Sequence, residues 1–285
     1  MKFEKSIIKT INLRVSRRAY EDREIESSKL QKITQILSKE FIGPFGGKSK
    51  FELISCEAND SSEKRKLGTY GFIRGARYFI IGILERGEKN IVDFGYSFEK
   101  IILKMTELGL GTVWLGGTFR YKQFEECANI NENEYIVATS PVGYALKNLK
   151  AFEKLIFWSI RARERIPWSK LFFFNDFSTP LTKKHAGKYA TALEMVRIGP
   201  SASNKQPWRI VKEDNSNTFH FYLQLTRSKP KENLPPMKQL DIGIALSHFE
   251  LTTEEEKIRG KWKKENPELD TLGMNLYYIA SWIGE

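Results

Sequence analysis

The apolar positions along the chain fall into two successive sets of helix and strand patterns. Leu30, Ile33, Ile36, Leu37 and Phe41 recur at spacings of three and four, which predicts an amphipathic helix. The segment Phe51 to Ser55 then reads as a strand. Further on, Tyr189, Leu193, Val196 and Arg197 repeat the helical spacing, and Arg209 to Lys212 repeat the strand. The same turn joins helix to strand in both places, Ile42-Gly43-Pro44 in the first and Ile198-Gly199-Pro200 in the second.

Two more pairs follow in the same order. Val92-Asp93-Phe94-Gly95 matches Leu240-Asp241-Ile242-Gly243. Each reads as a helix opening, with the aspartate placed to cap or line the first turn. Tyr135-Ile136-Val137-Ala138 matches Tyr278-Ile279-Ala280-Ser281, both short strands. Three pairs in order predict an internal duplication of an α+β unit. The joint is expected in the basic stretch 147–170, giving halves 1–158 and 159–285. Such a tandem recreates inside one chain what a symmetric dimer builds from two.

Charge adds one question. The net charge is +11, which raises nucleic-acid binding as a reading. Acidic residues interleave with the basic ones throughout, so a lysine-rich solvated surface is expected and no nucleic-acid partner. No run approaches the roughly 20 apolar residues that span a bilayer. The N-terminus has lysines but no apolar core, so no secretion signal is read there. Two distant cysteines, Cys56 and Cys127, suit a reduced, cytoplasmic protein. The three histidines show no metal-ligand spacing, no metal is expected, and no Ser/His/Asp set stands out.

Three segments carry chemistry. Arg14, Ser16, Arg17 and Arg18 place three guanidinium forks and a hydroxyl in one short stretch, a set suited to phosphate. The run Glu107 to Gly117 ends the helix begun at Asp93. Gly109 fits a helix C-terminus, and Trp114-Leu115-Gly116-Gly117 lets backbone approach a flat ligand. Pro200 to Trp208 is a constrained loop whose Ser201, Ala202, Ser203, Asn204 and Gln206 offer mixed donors and acceptors, with Trp208 as its core anchor. A heteroaromatic ring with alternating N–H and C=O edges suits that set. Gly43 to Ser49 looks like a phosphate loop, but its glycines are one residue too close and a helix precedes it, so it is rejected.

Together these segments resemble the FMN-dependent nitroreductase family. Arg14-Val15-Ser16-Arg17-Arg18-Ala19-Tyr20 is similar to its opening Arg-(Arg/His)-Ser-x-Arg-x-Phe pattern, departing at Val15. Pro200 to Trp208 resembles its Pro-Ser-x-x-Asn-x-Gln-Pro-Trp loop, and Gly109 to Gly116 its glycine run. The order departs from the family. The loop is intact only in the second half and the run only in the first, where Pro44 to Phe51 has lost the Asn, Gln, Pro and Trp. The second-half counterpart of the run, Ile258 to Trp262, is eroded. This resembles the fused subgroup in which one chain imitates the homodimer.

The resemblance implies a nitroreductase-like α/β sandwich with two degenerate halves forming an intrachain pseudo-dimer and one FMN per chain. Its implied contacts are Arg14, Ser16, Arg17, Arg18, Trp114 to Gly117, Ser201 to Asn204 and Gln206, with Arg163 and Arg165 at a late basic position. It also implies a ping-pong reaction, with hydride passing from NADH or NADPH through flavin N5 to a small nitroaromatic or quinone-like acceptor. No side-chain acid or base is required. The alternatives on this fold are a non-catalytic flavin-binding or sensor protein and a different flavin reaction. A monomer is expected, with neither nucleic acid nor membrane as partner.

Overall fold

The computed structural model describes residues 1–55, 69, 71–88, 90–146, 164–225 and 236–285. Its strands form two five-stranded sheets. The first contains β1 (Phe41–Ile42), β2 (Lys48–Ser55), β3 (Tyr78–Glu85), β4 (Gly111–Thr112) and β5 (Glu134–Gly143), in the order β1-β2-β3-β5-β4. The second contains β6 (Phe172–Phe174), β7 (Trp208–Lys212), β8 (Thr218–Gln224), β9 (Gly260–Lys263) and β10 (Leu276–Gly284), in the order β6-β7-β8-β10-β9. Four strands of each sheet, β2-β3-β5-β4 and β7-β8-β10-β9, follow one plan. The edges differ: β1 runs antiparallel to β2, whereas β6 runs parallel to β7.

The predicted elements are present. The first helical pattern is α2 (Ser27–Leu37), after a short α1 (Ile7–Leu13) that the apolar spacing did not announce. The Asp93 helix is α3 (Ile91–Glu107), and α4 (Tyr121–Glu125) follows the glycine run. In the second half come α5 (Lys183–Ala186), α6 (Ala190–Arg197) and α7 (Pro236–Glu255), the helix that carries Asp241.

Two helices, α3 and α7, fill the space between the sheets. Each is buried along most of its length, so that polar residues are enclosed with the apolar ones. In α3 even Asp93, Ser97 and Glu99 are buried, and in α7 Asp241, Ser247, His248 and Thr252 are. The two cross at matching glycines. A Cβ on Gly95 would stand 2.6 Å from the Leu240 carbonyl oxygen, and one on Gly243 would stand 2.2 Å from that of Val92. Each helix also lends a residue to the other sheet's core. Val92 and Tyr96 of α3 pack with Trp208, Phe221 and Phe249, while Leu240 of α7 packs with Phe51, Phe94 and Phe98.

One constant spacing separates Asp93 from Asp241, Gly95 from Gly243, Gly109 from Lys257 and Trp114 from Trp262. The backbone repeats with it. Both helices end with a residue of positive φ, Gly109 at 79° and Lys257 at 60°. In both, the residue after it closes a wider turn, Leu110 N–H to the Met105 carbonyl and Ile258 N–H to that of Thr253. The expected joint between the halves lies largely outside the described residues.

Candidate functional site

The N-terminal arginines are placed by charge as well as by packing. Ile7 and Ile11 of α1 dock on Leu103, Met195 and Leu251. Glu255, at the end of α7, accepts from Ser6 Oγ at 2.6 Å and from the Ile7 and Ile8 N–H groups, and so caps α1 from another helix. Glu107, at the end of α3, accepts from the N–H groups of Glu4 (2.6 Å) and Lys5 (2.7 Å). Arg14 ends α1 in extended backbone. The chain then runs alongside β4, where Ser16 bridges Thr112 and the Arg17 N–H donates to the Thr112 carbonyl at 2.8 Å.

The glycine run is strapped to β5. Leu115 exchanges backbone hydrogen bonds with Thr139 at 2.8 and 2.9 Å, and its side chain enters a core with Phe79, Phe119 and Phe124. Trp114 turns the other way. Its ring meets Phe98 edge-on, and its Nε1 donates to Glu99 Oε2 at 2.7 Å. Among the described residues, the N–H groups of Gly116 and Gly117 have no protein partner.

The Pro200–Trp208 loop is held in an unusual shape. Ser203, Asn204 and Gln206 all have positive φ, at 51°, 53° and 45°. Non-glycine residues in that region cost about 1 kcal/mol or more each, and they cluster at functional sites. The surroundings impose the shape. Asp241 Oδ1 accepts from the Ala202 N–H at 2.7 Å, and Ser201 Oγ accepts from the Gln206 N–H at 2.8 Å. Asn204 Nδ2 donates to the Glu164 carbonyl at 3.0 Å, and Arg165 Nη1 donates to Asn204 Oδ1 at 3.3 Å. Trp208 is fully buried, as its anchoring role requires.

These three segments enclose one cavity of about 860 Å³. Arg14, Ser16, Arg17, Arg18, Trp114 to Gly117, Ser201 to Asn204 and Arg165 all line it. Residues 14, 116 and 204, far apart in sequence, therefore line one cavity. Gln206 is not in the lining. It is buried behind the loop, where it accepts from the Ile166 N–H at 2.9 Å. Arg163 lies outside the described residues. The sequence patterns missed Met237, Leu240 and Ile244, which lie on one face of α7 at helical spacing, and Phe72 and Ile11. Met237 lies over Gly116: a Cβ there would come within 2.0 Å of its Cε.

The electrostatics favour an anion. Burial lowers the proton affinity of Arg165, and the nearby Arg14 and Arg197 charges lower it further. Burial lowers that of Arg14 too, against an opposing pull from Glu99. Asp241 is buried with its pKa pushed up to about 6, so its carboxylate loses its charge readily as pH falls.

The matching side of the molecule is built differently. Gly43 to Gly47 form a tight turn between β1 and β2, tied by Asp93, which accepts from the N–H groups of Gly47 (2.7 Å) and Phe45 (3.2 Å). Asp93 and Asp241 thus each brace the turn of their own half. Asp93 sits in the first turn of its helix as expected, but Asp241 sits a turn further in. Phe45 packs against the second core, and Lys264 stands 4.3 Å over its ring.

A family model described as "Putative TM nitroreductase" matches residues 6–253. The chain belongs to this nitroreductase family. Its fold is similar to that of a "putative nitroreductase" from Thermotoga maritima MSB8, with 18% identity, a TM-score of 0.59, and 99% of this chain and 95% of that one covered. Two further solved structures match about half the chain. One is an FMN-dependent nitroreductase from Clostridium difficile R20291, with 21% identity, 50% and 90% coverage and a TM-score of 0.39. The other is a nitroreductase with bound FMN from Bacteroides fragilis NCTC 9343, with 19% identity, 52% and 96% coverage and a TM-score of 0.37. Comparison with curated proteins gave no match. Among the described residues, no helix is long and apolar enough to cross a membrane.

Proposed function

We propose that the chain is an FMN-dependent oxidoreductase that takes hydride from NADH or NADPH and passes it to a small nitroaromatic or quinone-like acceptor. The observation that carries this reading is the single cavity walled by Arg14 and Arg165, by the glycine run and by the strained loop. Its volume lies within the roughly 300–1,000 Å³ typical of ligand sites.

The residues present fit FMN. Arg14, Ser16 and Arg165 offer charged and hydroxyl donors for a phosphate. The N–H groups of Gly116 and Gly117, unpartnered among the described residues, are donors for the edge of a ring, and Ser201 to Asn204 of the strained loop line the same cavity. Bound FMN would supply the two-electron chemistry, accepting hydride and releasing it again. The protein's part is to hold the cofactor and exclude water, with no side-chain acid or base required. Asp93, Phe45 and Lys264 occupy the corresponding place on the other side, which supports one FMN per chain and an origin by duplication.

The test is an absorption spectrum of purified protein, before and after anaerobic addition of NADH or NADPH. The reading requires near-stoichiometric flavin that bleaches. Colourless protein that cannot be reconstituted with FMN ends it, and bound flavin that no nicotinamide reduces points to a flavin-binding protein without turnover.

A further inference from the structure

A buried pair of titratable groups lies behind the cavity wall, outside the chemistry above. Glu99 on α3 and His248 on α7 are both fully buried, with Glu99 Oε1 2.9 Å from His248 Nε2. Each has another partner. His248 Nδ1 lies 2.9 Å from the Met195 carbonyl oxygen. A carbonyl only accepts, so Nδ1 carries a hydrogen. Nε2 faces a carboxylate oxygen, so that contact also needs a proton. The pair holds that one proton in common, between Nε2 and Oε1. Glu99 Oε2 accepts from Trp114, the residue that leads into Leu115 to Gly117. Glu99 is also the carboxylate whose charge acts on Arg14.

The repeat isolates what is special here. Trp262, the counterpart of Trp114, donates to Glu250 at 2.6 Å, so a carboxylate holding this indole recurs. The imidazole does not recur, because the Tyr96 hydroxyl faces Glu250 instead. The histidine therefore stands only on the side that has the cavity.

We propose that Glu99 is a positioning residue of the cavity: held by His248 from the opposite helix, it fixes Trp114 and the glycine run and balances the charge of Arg14. A ligand phosphate must then share Arg14 with Glu99. His248 sets how much negative charge Glu99 presents. This rests on the flavin-binding reading.

Two nearly isosteric variants separate charge from structure. In Glu99→Gln the amide oxygen still accepts from Trp114. The amide nitrogen donates to Nε2 of a neutral imidazole, whose Nδ1–H still serves Met195. Packing is kept; the carboxylate charge that acts on Arg14 is lost, together with the proton the pair held. In His248→Gln a donor to Glu99 is kept, but the shared proton is lost and Glu99 is left a full carboxylate. The measurement is the dissociation constant of FMN and of riboflavin, which lacks the phosphate, by flavin-fluorescence titration. The ratio of the riboflavin to the FMN constant should rise about threefold or more in Glu99→Gln and fall by a similar factor in His248→Gln. A purely structural role would move both variants the same way. A ratio that is unchanged, or that moves in one direction in both, overturns the inference while leaving the flavin reading intact. If one variant does not fold, the sign in the other decides. Native protein that binds neither flavin overturns both readings.

Discussion

Gly95 of α3 and Gly243 of α7 let two helix backbones touch: a Cβ on Gly243 would lie 2.5 Å from the Tyr96 nitrogen and 2.2 Å from the Val92 carbonyl oxygen. The obstructing atoms are backbone, so no side-chain rotation relieves the clash. Gly243→Ala is expected to cost at least about 1–3 kcal/mol, the range for overpacked cores, despite alanine's better helix propensity. Urea unfolding reads this directly. A variant as stable as the native protein would mean that the helices do not cross here.

Lys257 holds φ at 60° in the place where the other half has Gly109. It is exposed, so its side chain contributes little packing. Lys257→Gly should raise stability by about 1 kcal/mol, because glycine adopts this conformation without steric cost. Destabilisation on chemical unfolding would contradict the strain assigned to this position.

Asp241 links loop geometry to pH. Its folded-state pKa is raised to about 6 by burial, above the ordinary value of 3.8. The stability it contributes is therefore fully present below about pH 4 and is lost as pH rises through about 6. Asp241→Asn stays neutral and keeps an oxygen for the Ala202 N–H. It should match the native protein near pH 4 and exceed its stability by up to about 3 kcal/mol above pH 7. The same difference at both pH values would show that Asp241 does not titrate this way.

The two sides of the molecule predict unequal responses to mutation. Arg14→Ala and Asn204→Ala should each weaken FMN binding about tenfold or more, through a lost charge and through release of the Glu164–Arg165 segment respectively. Lys48→Ala, at the start of β2 beside the Gly43–Gly47 turn, removes only an exposed pair with Glu40 and should leave binding unchanged. Equal losses in all three would refute a single site.

Much of this arrangement was legible in the sequence because it is local. The helix spacings, the paired Asp-x-Gly openings and the loop around Asn204 each lie within about a turn or two of chain. Less legible was whatever depends on distant partners. The helix α1 is short, with Ile7 and Ile11 buried and Ile8 partly buried on its packed face; Glu255, at the end of α7, completes its cap, and Glu107, at the end of α3, holds the residues just before α1. Gln206 read as one of the loop's ligand-facing donors and acceptors, yet it does not line the cavity and instead accepts from the Ile166 N–H. Asp241 read as capping or lining a first turn, but its helix begins at Pro236, more than a turn earlier. No spacing rule connects Glu99 with His248. The same holds for Glu213, His220 and Ser281, which form a hydrogen-bonded row among the strands, with His220 and Ser281 buried.

The contact between α3 and α7 has a kinetic consequence. Both helices belong to one polypeptide, so closing the seam between them is a first-order event. Diluting the protein would not open it. The fraction of molecules with a formed cavity would then be set by folding alone, at any expression level.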